Sequence, residues 1–352
     1  MQKVRLKDLT FEQLTEYLCS LGLSKFRGRQ VFEWLYRGVT SFDEMTNLSK
    51  DLRASLNELC EISKLEIVEK QVSTDGTIKY LFRLEDGETV ESVLMDYKHG
   101  HPICISTQVG CNMGCKFCAS TIGGKVRDLT AGEIIDQILF AQKDSGMTVS
   151  NIVLMGIGEP LDNYDSVMTF VRNVNHYAGL NIGARHISLS TCGLIDGIRK
   201  LADEDIPVTL SVSLHAPNDE LRNTLMPVNK KYSINVLMSA INDYIKKTNR
   251  RVTFEYSMIE GVNDNEKEAK ELLKLTKGML SHINLIPINK VKGKEYTKSN
   301  PERINKFRTI LEQGGVTTTV RRSLGSDIEA SCGQLRREKS PLKNLSSEGD
   351  EM

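Results

Sequence analysis

At 352 residues the chain is long enough for one large domain with an appendage. Its 46 basic residues balance 46 acidic ones, so any nucleic-acid surface must be local, and no apolar run is long enough to span a membrane. The first eight residues lack the apolar core of a signal peptide. Eight cysteines without an export signal point to a reducing, cytoplasmic setting, where thiols serve as ligands or reactive groups.

Residues 1–60 read as a helical accessory module. Phe11, Leu14, Leu18 and Leu21 recur at helical spacing, as do Val31 and Leu35 with Phe32 and Trp34, and Gly22 and Gly28 punctuate them. Lys25, Arg27, Arg29 and Arg37 make the module locally basic, but Glu12, Glu16, Glu33, Asp43 and Glu44 nearly balance them. A solvated face and an RNA-contacting face both remain open. Cys19 and Cys60 read as small buried hydrophobes. Residues 61–100 change to period two and form a β extension, with strands at 64–68, 78–84 and 89–95 and turns at Asp75-Gly76 and Asp86-Gly87. Glu91 lies in the third strand between Val90 and Ser92, on a face that is not obviously wet.

From 101 to 337 strands and helices alternate. Strands are expected at 103–107, 151–155, 186–190, 208–213, 252–258 and 282–286, with helices at 131–143, 166–176, 193–202, 233–247 and 266–275. Thr130-Ala131-Gly132-Glu133 is a capping box ahead of the first helix. A last helix near 301–313 and a strand near 317–321 follow. Repeated βα units predict an α/β fold with a parallel sheet, and six units are too few for a closed eight-stranded barrel, so a partial (β/α)6 barrel is expected. Function in such sheets collects at the C-terminal ends of the strands. Residues 338–352 are polar and charged and are expected to be a disordered tail.

Cys111-Asn112-Met113-Gly114-Cys115-Lys116-Phe117-Cys118 directly follows the first of these strands. Three thiolates so spaced bind metal. They can hold three irons of a [4Fe–4S] cluster and leave the fourth open to a substrate atom. A zinc knuckle completed by His99, His101 or Cys104 is the alternative, and would make the chain a zinc-stabilised, non-catalytic RNA-binding protein. Met155-Gly156-Ile157-Gly158-Glu159-Pro160 ends the second strand. It lacks the third glycine of a dinucleotide fingerprint, but two glycines let backbone approach a ligand, and Glu159 can accept from an ammonium group. Ser190, Ser213-Leu214-His215 and Asn289 put short polar groups at further strand ends, within reach of one ligand. Lys125, Arg127, Lys290, Lys292 and Lys294 are equally candidates for phosphate contact and for plain solubility.

The cysteine spacing, with the aromatic Phe117 before the last cysteine, resembles that of the radical S-adenosylmethionine (SAM) superfamily. The resemblance implies that SAM chelates the open iron and is split to a 5′-deoxyadenosyl radical. It also implies that Glu159 and Gly158, with Ser190, Ser213, Leu214, His215 and Asn289, hold SAM. Four stretches narrow the likeness: Ile103-Cys104-Ile105-Ser106-Thr107-Gln108-Val109-Gly110-Cys111, Gly156-Ile157-Gly158-Glu159-Pro160-Leu161, Ser213-Leu214-His215-Ala216 and Ala330-Ser331-Cys332-Gly333-Gln334-Leu335. Together they resemble the radical SAM RNA adenine methyltransferases, from the helical module to Leu335. That family has an adenine-C2 (RlmN) type and an adenine-C8 (Cfr) type. Pro160 after the Gly-Glu pair, and the longer approach from Gly325 to Ser331, favour the C2 type.

What the resemblance implies is specific. The substrates are an adenosine in the peptidyl-transferase region of 23S rRNA and the adenosine beside the anticodon of certain tRNAs. Two SAM molecules are used per turnover. Cys332 carries the methyl group, Cys104 resolves the RNA adduct as a Cys104–Cys332 disulfide, and Glu91 is the proton acceptor. An external donor of reductase or flavodoxin type supplies electrons to a monomer that needs no membrane. Cys192 receives no role. The C8 chemistry stays as the alternative within the family, and a radical SAM activase acting on a partner glycine, which would need neither Cys104 nor Cys332, as one outside it.

Overall fold

The computed structural model describes residues 3–289, 294–322, 324–325, 327–328 and 335. Cys332, Lys290, Lys292 and the 338–352 tail lie outside the described residues. The N-terminal part runs through β1 (Val4–Arg5), α1 (Phe11–Ser20), α2 (Lys25–Tyr36), α3 (Lys50–Leu59) and β2 (Cys60–Glu61), with β1 and β2 paired in parallel. Thr10 and Gln13 close a capping box at the start of α1. Leu14 and Leu18 meet Val31, Phe32 and Leu35 in the core, as their spacing predicts. Leu21 is instead exposed and caps α1. Gly28 is not punctuation: it lies inside α2, where a Cβ would stand 2.4 Å from Thr15 Oγ1, so its bareness lets α1 and α2 approach.

Three hairpin strands follow, β3 (Glu66–Val72), β4 (Ile78–Arg83) and β5 (Thr89–Leu94), antiparallel to one another. Gly76 and Gly87 take positive φ at the two turns, as Asp-Gly pairs require. β5 pairs antiparallel with β6 (His101–Cys104), so the extension continues the core sheet. Next come the short hairpin β7 (Gln108–Gly110) and β8 (Lys125–Asp128), then α4 (Ala131–Ser145), β9 (Val149–Leu154), α5 (Tyr164–Asn175), β10 (Ile187–Thr191), α6 (Ile195–Asp203) and β11 (Thr209–Ser213). α7 (Asp219–Leu225), α8 (Ile234–Thr248), β12 (Val252–Met258), α9 (Glu266–Thr276), β13 (Ser281–Pro287), α10 (Pro301–Gln313) and β14 (Thr318–Val320) complete the chain.

The large sheet has the order β14-β13-β12-β11-β10-β9-β6-β5-β4-β3, and every pair from β6 to β14 is parallel. Parallel strands that follow one another without a reversal in order keep their crossover helices on one face. The other face is left as an interior wall. Among the described residues β14 and β3 are the sheet's two edges, so the wall is an open, partial barrel with the helical module and β extension attached. Predicted strands slip by up to four residues: 64–68 is expected where β3 spans Glu66–Val72, and 103–107 where β6 spans His101–Cys104. For 103–107 the reason is that residues 105–107 are buried by docking on another turn, which mimics a strand pattern. α7 and the β7–β8 hairpin are too short to leave a periodic signal.

Residues 7–9 hydrogen-bond the helical module to the core, and Phe11 stacks on His176 beside them at 4.2 Å. The Asp8 carboxylate accepts from the Gly132 N–H at 2.8 Å, and Leu9 O accepts from Asn173 Nδ2 at 2.9 Å. Between module and core Lys7 donates to Asp136 on α4 and, at 2.9 Å, to Ser63 O; both charged side chains are buried. Burial pushes the Asp136 carboxyl up to about 6, against the pull of Lys7 and the Ser63 hydroxyl. A carboxyl raised above its unfolded value favours the fold below that value and loses the contribution as pH rises through the folded one. For Asp136 the window runs from 3.8 to about 6. Lys7→Met leaves a buried charge without its partner and should cost roughly 3–5 kcal/mol. Because the folded pKa then rises further, thermal melts should show a larger loss at about pH 8 than at about pH 5. Lys7→Met with Asp136→Leu should recover much of it; a double variant as unstable as the single one would refute the pairing.

Candidate active site

The cysteine loop is shaped by backbone bonds before any ligand enters. β7 and β8 close its base, pairing Gln108 with Asp128 and Val109 with Arg127. Gly110, at φ +78°, has no room for a side chain: a Cβ would sit 1.9 Å from Gly124 O. Cys111 N donates to Gly124 O at 3.2 Å, Lys125 N to the Asn112 amide oxygen at 2.8 Å, and Lys116 N to Leu225 O at 2.9 Å. Thr121 Oγ1 reaches the carbonyls of Cys115 and Cys118, at 3.2 and 3.0 Å.

Next to this loop lies the turn that ends β9. Ile157 O accepts from the N–H groups of Thr107 and Gln108 at 2.9 and 3.1 Å, Ile157 N donates to Ser106 Oγ at 3.0 Å, and Glu159 N donates to Gln108 Oε1 at 2.9 Å. A Cβ on Gly156 would meet Ile105 O at 2.5 Å, and one on Gly158 the Gln108 Cβ at 2.7 Å. Their bareness thus admits the protein's own 105–108 segment, although both glycines also line the cavity. Glu159 is buried, with one oxygen accepting from Leu161 N at 3.1 Å and the other from Cys192 N at 2.7 Å. Burial raises its pKa despite those bonds.

Arg222 braces the next two strand ends. Fully buried on α7, it donates to Leu214 O, to Cys192 O at 2.7 Å, to Ser213 O and to the Asn229 amide oxygen. His215 holds φ +56°, a costly backbone region outside glycine. Its Nδ1 accepts from Ser257 N at 2.9 Å, which assigns the ring proton to Nε2. Burial, with help from the Arg222 charge, takes its pKa down to about 3, so the ring is neutral at ordinary pH. Phe117 packs edge-on against it at 4.9 Å.

These groups line one cavity of about 340 Å³ at the strand C-termini. It collects Cys111, Cys115, Cys118, Cys104, Gly158, Glu159, Ser190, Ser213, His215 and Asn289. Leu214 is not among the lining residues; its side chain lies in the main core. Glu91 is not either. It shares the face of β5 that carries Val93 toward the cavity, but lies deeper, 3.1 Å from the buried Lys79 ammonium. Cys332 is outside the described residues, so its place is not defined. Lys125 and Arg127 are engaged internally: Lys125 with Asp162 at 2.7 Å and Asp128 at 3.2 Å, Arg127 with Asp86 at 2.6 Å and both oxygens of Glu133.

Three charged lining groups escaped the sequence reading. Glu255, on β12, is buried with its carboxyl raised by desolvation and accepts from Asn284 Nδ2 at 2.8 Å. Arg321 and Arg322 follow β14. A paired arginine after the last strand was the available signal for the latter two; Glu255 left none, since an inward strand carboxylate looks like an exposed one.

A metal cluster suits these donors. Burial pushes the Cys111 thiol up to about 12 and Cys115 further, and each is raised again by its neighbours. Such thiols ionise when a strongly positive group sits among them. Ser120 Oγ and Thr77 Oγ1, buried in the cavity wall, have no partner among the described residues. Among those residues no three His, Cys, Asp or Glu side chains converge as a metal-ion site. His101 is at the far end of β6, 3.2 Å from Asp96, and does not complete a zinc knuckle.

Comparison with known proteins agrees with this geometry. The model of the ribosomal RNA large subunit methyltransferase N-terminal domain matches residues 4–62, and that of the radical SAM superfamily residues 105–273. A probable dual-specificity RNA methyltransferase RlmN of Caldanaerobacter subterraneus is 57% identical over 94% of this chain and 97% of its own length. That of Alkaliphilus oremlandii is 56% identical over 96% of this chain and 98% of its own. The chain belongs to the RlmN family. A radical SAM methyltransferase from Sphaerobacter thermophilus, known from its crystal structure, superposes with a TM-score of 0.90 at 46% identity, covering 94% of this chain and 98% of that one. Membership in the RlmN family, within the radical SAM superfamily, implies a [4Fe–4S] cluster and SAM.

The brace at Arg222 yields a test. Arg222→Met strips donors from three carbonyls and an amide in a dry site, and should cost about 2–4 kcal/mol in chemical denaturation of the metal-free protein. Arg222→Lys should recover little of this, because one ammonium cannot span the fork. Full recovery by lysine would show that charge alone matters.

Proposed function

We propose that this chain, an RNA methyltransferase of the radical SAM type, is dual-specific: it methylates C2 of an adenine in the peptidyl-transferase region of 23S rRNA and C2 of the adenosine 3′-adjacent to the anticodon in tRNA. The observation that carries the reading is the near-full-length match to the RlmN relatives, on a chain whose loop cysteines, Cys104 and Glu159 line one cavity.

Adenine C2 is an electron-poor carbon with no lone pair to attack a methyl sulfonium, so polar methyl transfer is disfavoured. When bound, the cluster and SAM supply a one-electron cleavage that makes a hydrogen-abstracting carbon radical. The chain's own residues present the carbon to be activated. Cys332 takes a methyl group from a first SAM, its thiolate displacing the thioether leaving group, which makes two SAM per turnover. Cys111, Cys115 and Cys118 would hold the cluster. Glu159 would accept from the SAM ammonium, and Gly158, Ser190, Ser213, Leu214, His215 and Asn289 would surround the rest. Glu91 is the residue the family likeness offers as acceptor of the proton from the modified base, although it lies beneath the cavity wall beside Lys79. Once the activated S-methyl carbon is bonded to C2, the Cys104 thiolate attacks the Cys332 sulfur, the bond from that sulfur to the methylene carbon breaks with its electron pair passing to the base, the carbon takes a proton to become the methyl group, and a Cys104–Cys332 disulfide remains for reduction by thiol exchange. The enzyme works as a cytoplasmic monomer with an external electron donor.

Methyl-labelled SAM should deliver label to adenosine C2 in both RNAs; label at C8 would assign the chain to the other chemistry. Cys332→Ala should abolish methyl uptake and product, and Cys104→Ala should accumulate a covalent RNA–protein species visible on a denaturing gel. Normal product release from Cys104→Ala refutes the resolving role. Each of Cys111→Ala, Cys115→Ala and Cys118→Ala should lose the iron–sulfur absorbance while keeping a cooperative melt.

A further inference from the structure

The segment that leads to Cys332 is held by a hairpin turn of the β extension. The turn between β3 and β4 is built by its own bonds. Ser73 N donates to Thr77 O at 2.8 Å, Gly76 N to Ser73 O at 3.1 Å, and Thr77 N to the Asp75 carboxylate at 2.9 Å. Gly76, at φ +86°, lies against the Asp96 side chain, whose Cβ would stand 3.0 Å from a Cβ at this position. At the end of the turn Thr77 enters the cavity wall.

Onto this turn the described residues after β14 are pinned from both sides. Gly325 N donates to Asp75 Oδ2 at 2.8 Å. In return Asp327 accepts from the Ser73 hydroxyl and, at 2.9 Å, from Thr74 N. Each segment thus offers one carboxylate to the donors of the other. The Gly325 N–H, with the donors of its own turn, holds Asp75 down to about 2, and the Ser73 and Thr74 donors lower Asp327. Just before this clasp Leu324 packs against Val93, Met95 and Cys104 and lines the cavity. The approach to Cys332 is therefore fixed beside Cys104. Cys332 follows Asp327 by five residues. At about 3.6 Å per residue at most, its Cα stays within about 18 Å of the clasp.

We propose that Asp75 and Asp327 are positioning residues for Cys332, and that their clasp sets how often its sulfur meets Cys104. The inference rests on the functional reading above, in which Cys332 serves a methyl donor, a base carbon and Cys104 in turn. Neither aspartate is among the cavity's lining residues, so both act through the tether. A tethered thiol has an effective concentration set by the free length of its tether. With the clasp closed that length starts at Asp327. With it open, the last backbone bond to the sheet is Arg321 N to Leu285 O at 2.9 Å. The free length then about doubles, which makes closure onto Cys104 about threefold rarer.

The test uses the full chain as reconstituted holoenzyme. Diamide, under anaerobic conditions, takes two electrons and two protons from a pair of thiols, and mass mapping reads the Cys104–Cys332 disulfide. Asp75→Ala with Asp327→Ala should slow formation of that disulfide about threefold or more. Single-turnover delivery of labelled methyl from Cys332 to RNA should slow by a similar factor, while the iron–sulfur absorbance and the melting midpoint stay parental. Asp75→Asn with Asp327→Asn should recover most of the rate, because an amide oxygen still accepts an N–H. Asp327→Ala alone changes one exposed side chain and should shift both rates the same way by less, which keeps the test open if the double alanine variant fails to fold. A parental disulfide rate in the alanine variants overturns the proposal. So does a slower methyl delivery matched by an equal loss of iron–sulfur absorbance, which would make the turn a support for the fold only. If the parent methylates no adenine, the functional reading fails by itself, and the disulfide rate still decides the clasp.

Discussion

The cavity depends on one junction of backbone bonds. Ile157 O accepts from two consecutive N–H groups, those of Thr107 and Gln108, while Ile157 N donates to Ser106 Oγ. That hydroxyl in turn donates to Glu91 O at 2.7 Å, and the Ser106 backbone is held at both ends by the Gln137 amide from α4. The junction therefore ties the β extension, the first helix of the barrel, the cysteine loop and the Glu159 turn to one another. It closes only because Gly156 and Gly158 leave room for the 105–108 backbone. The distance between the loop thiols and the Glu159 carboxylate is thus a property of buried peptide groups, which have no other partners to turn to.

The elements that sequence periodicity revealed are those whose stability is mostly local. Val252–Met258 and Pro301–Gln313 stand where their patterns put them, because a fully buried parallel strand and an Asn-Pro-started helix each carry their own signal. The capping box at Thr130 forms as read. The β7–β8 hairpin is different: its few pairs are imposed by the loop they close, and nothing periodic precedes them. In the site, cysteine spacing and strand-end position located the lining residues from Cys111 to Asn289. Thr77, Glu255 and Arg321 reach the same cavity only because the sheet curls, a tertiary fact with no local trace. The resemblance, not the pattern, singled out Cys104 among buried thiols.

Charge shows the same division. A neutral total conceals a structure in which many cations are committed internally. Arg127 forks onto Glu133 and also meets Asp86, so it staples the cysteine hairpin to α4 and to the turn between β4 and β5. Lys7 and Lys79 are buried outright beside carboxylates. Buried pairs of this kind contribute little net stability, but breaking one partner is costly, so they enforce one arrangement of the parts. Counting lysines and arginines therefore overstates what remains for RNA.

Within the cavity, burial pushes five of the lining groups toward neutrality. It raises Glu159, Glu255, Cys111 and Cys115 and lowers His215. For His215 the neutral ring is the settled state, since its Nδ1 already accepts a backbone N–H and only Nε2–H is left to donate. For Glu159 and the thiols the neutral state is a strained compromise. Glu159 keeps two backbone N–H donors that favour the carboxylate while desolvation opposes it. A cationic ligand would offset that desolvation, and the same holds for Cys111 and Cys115, each raised partly by the neighbouring thiols. Both mismatches are relieved at once by a positively charged metal cluster beside an ammonium-bearing sulfonium. The protein alone holds like charges, a carboxylate and thiolates, close together in a dry site, and cationic ligands would complete the balance.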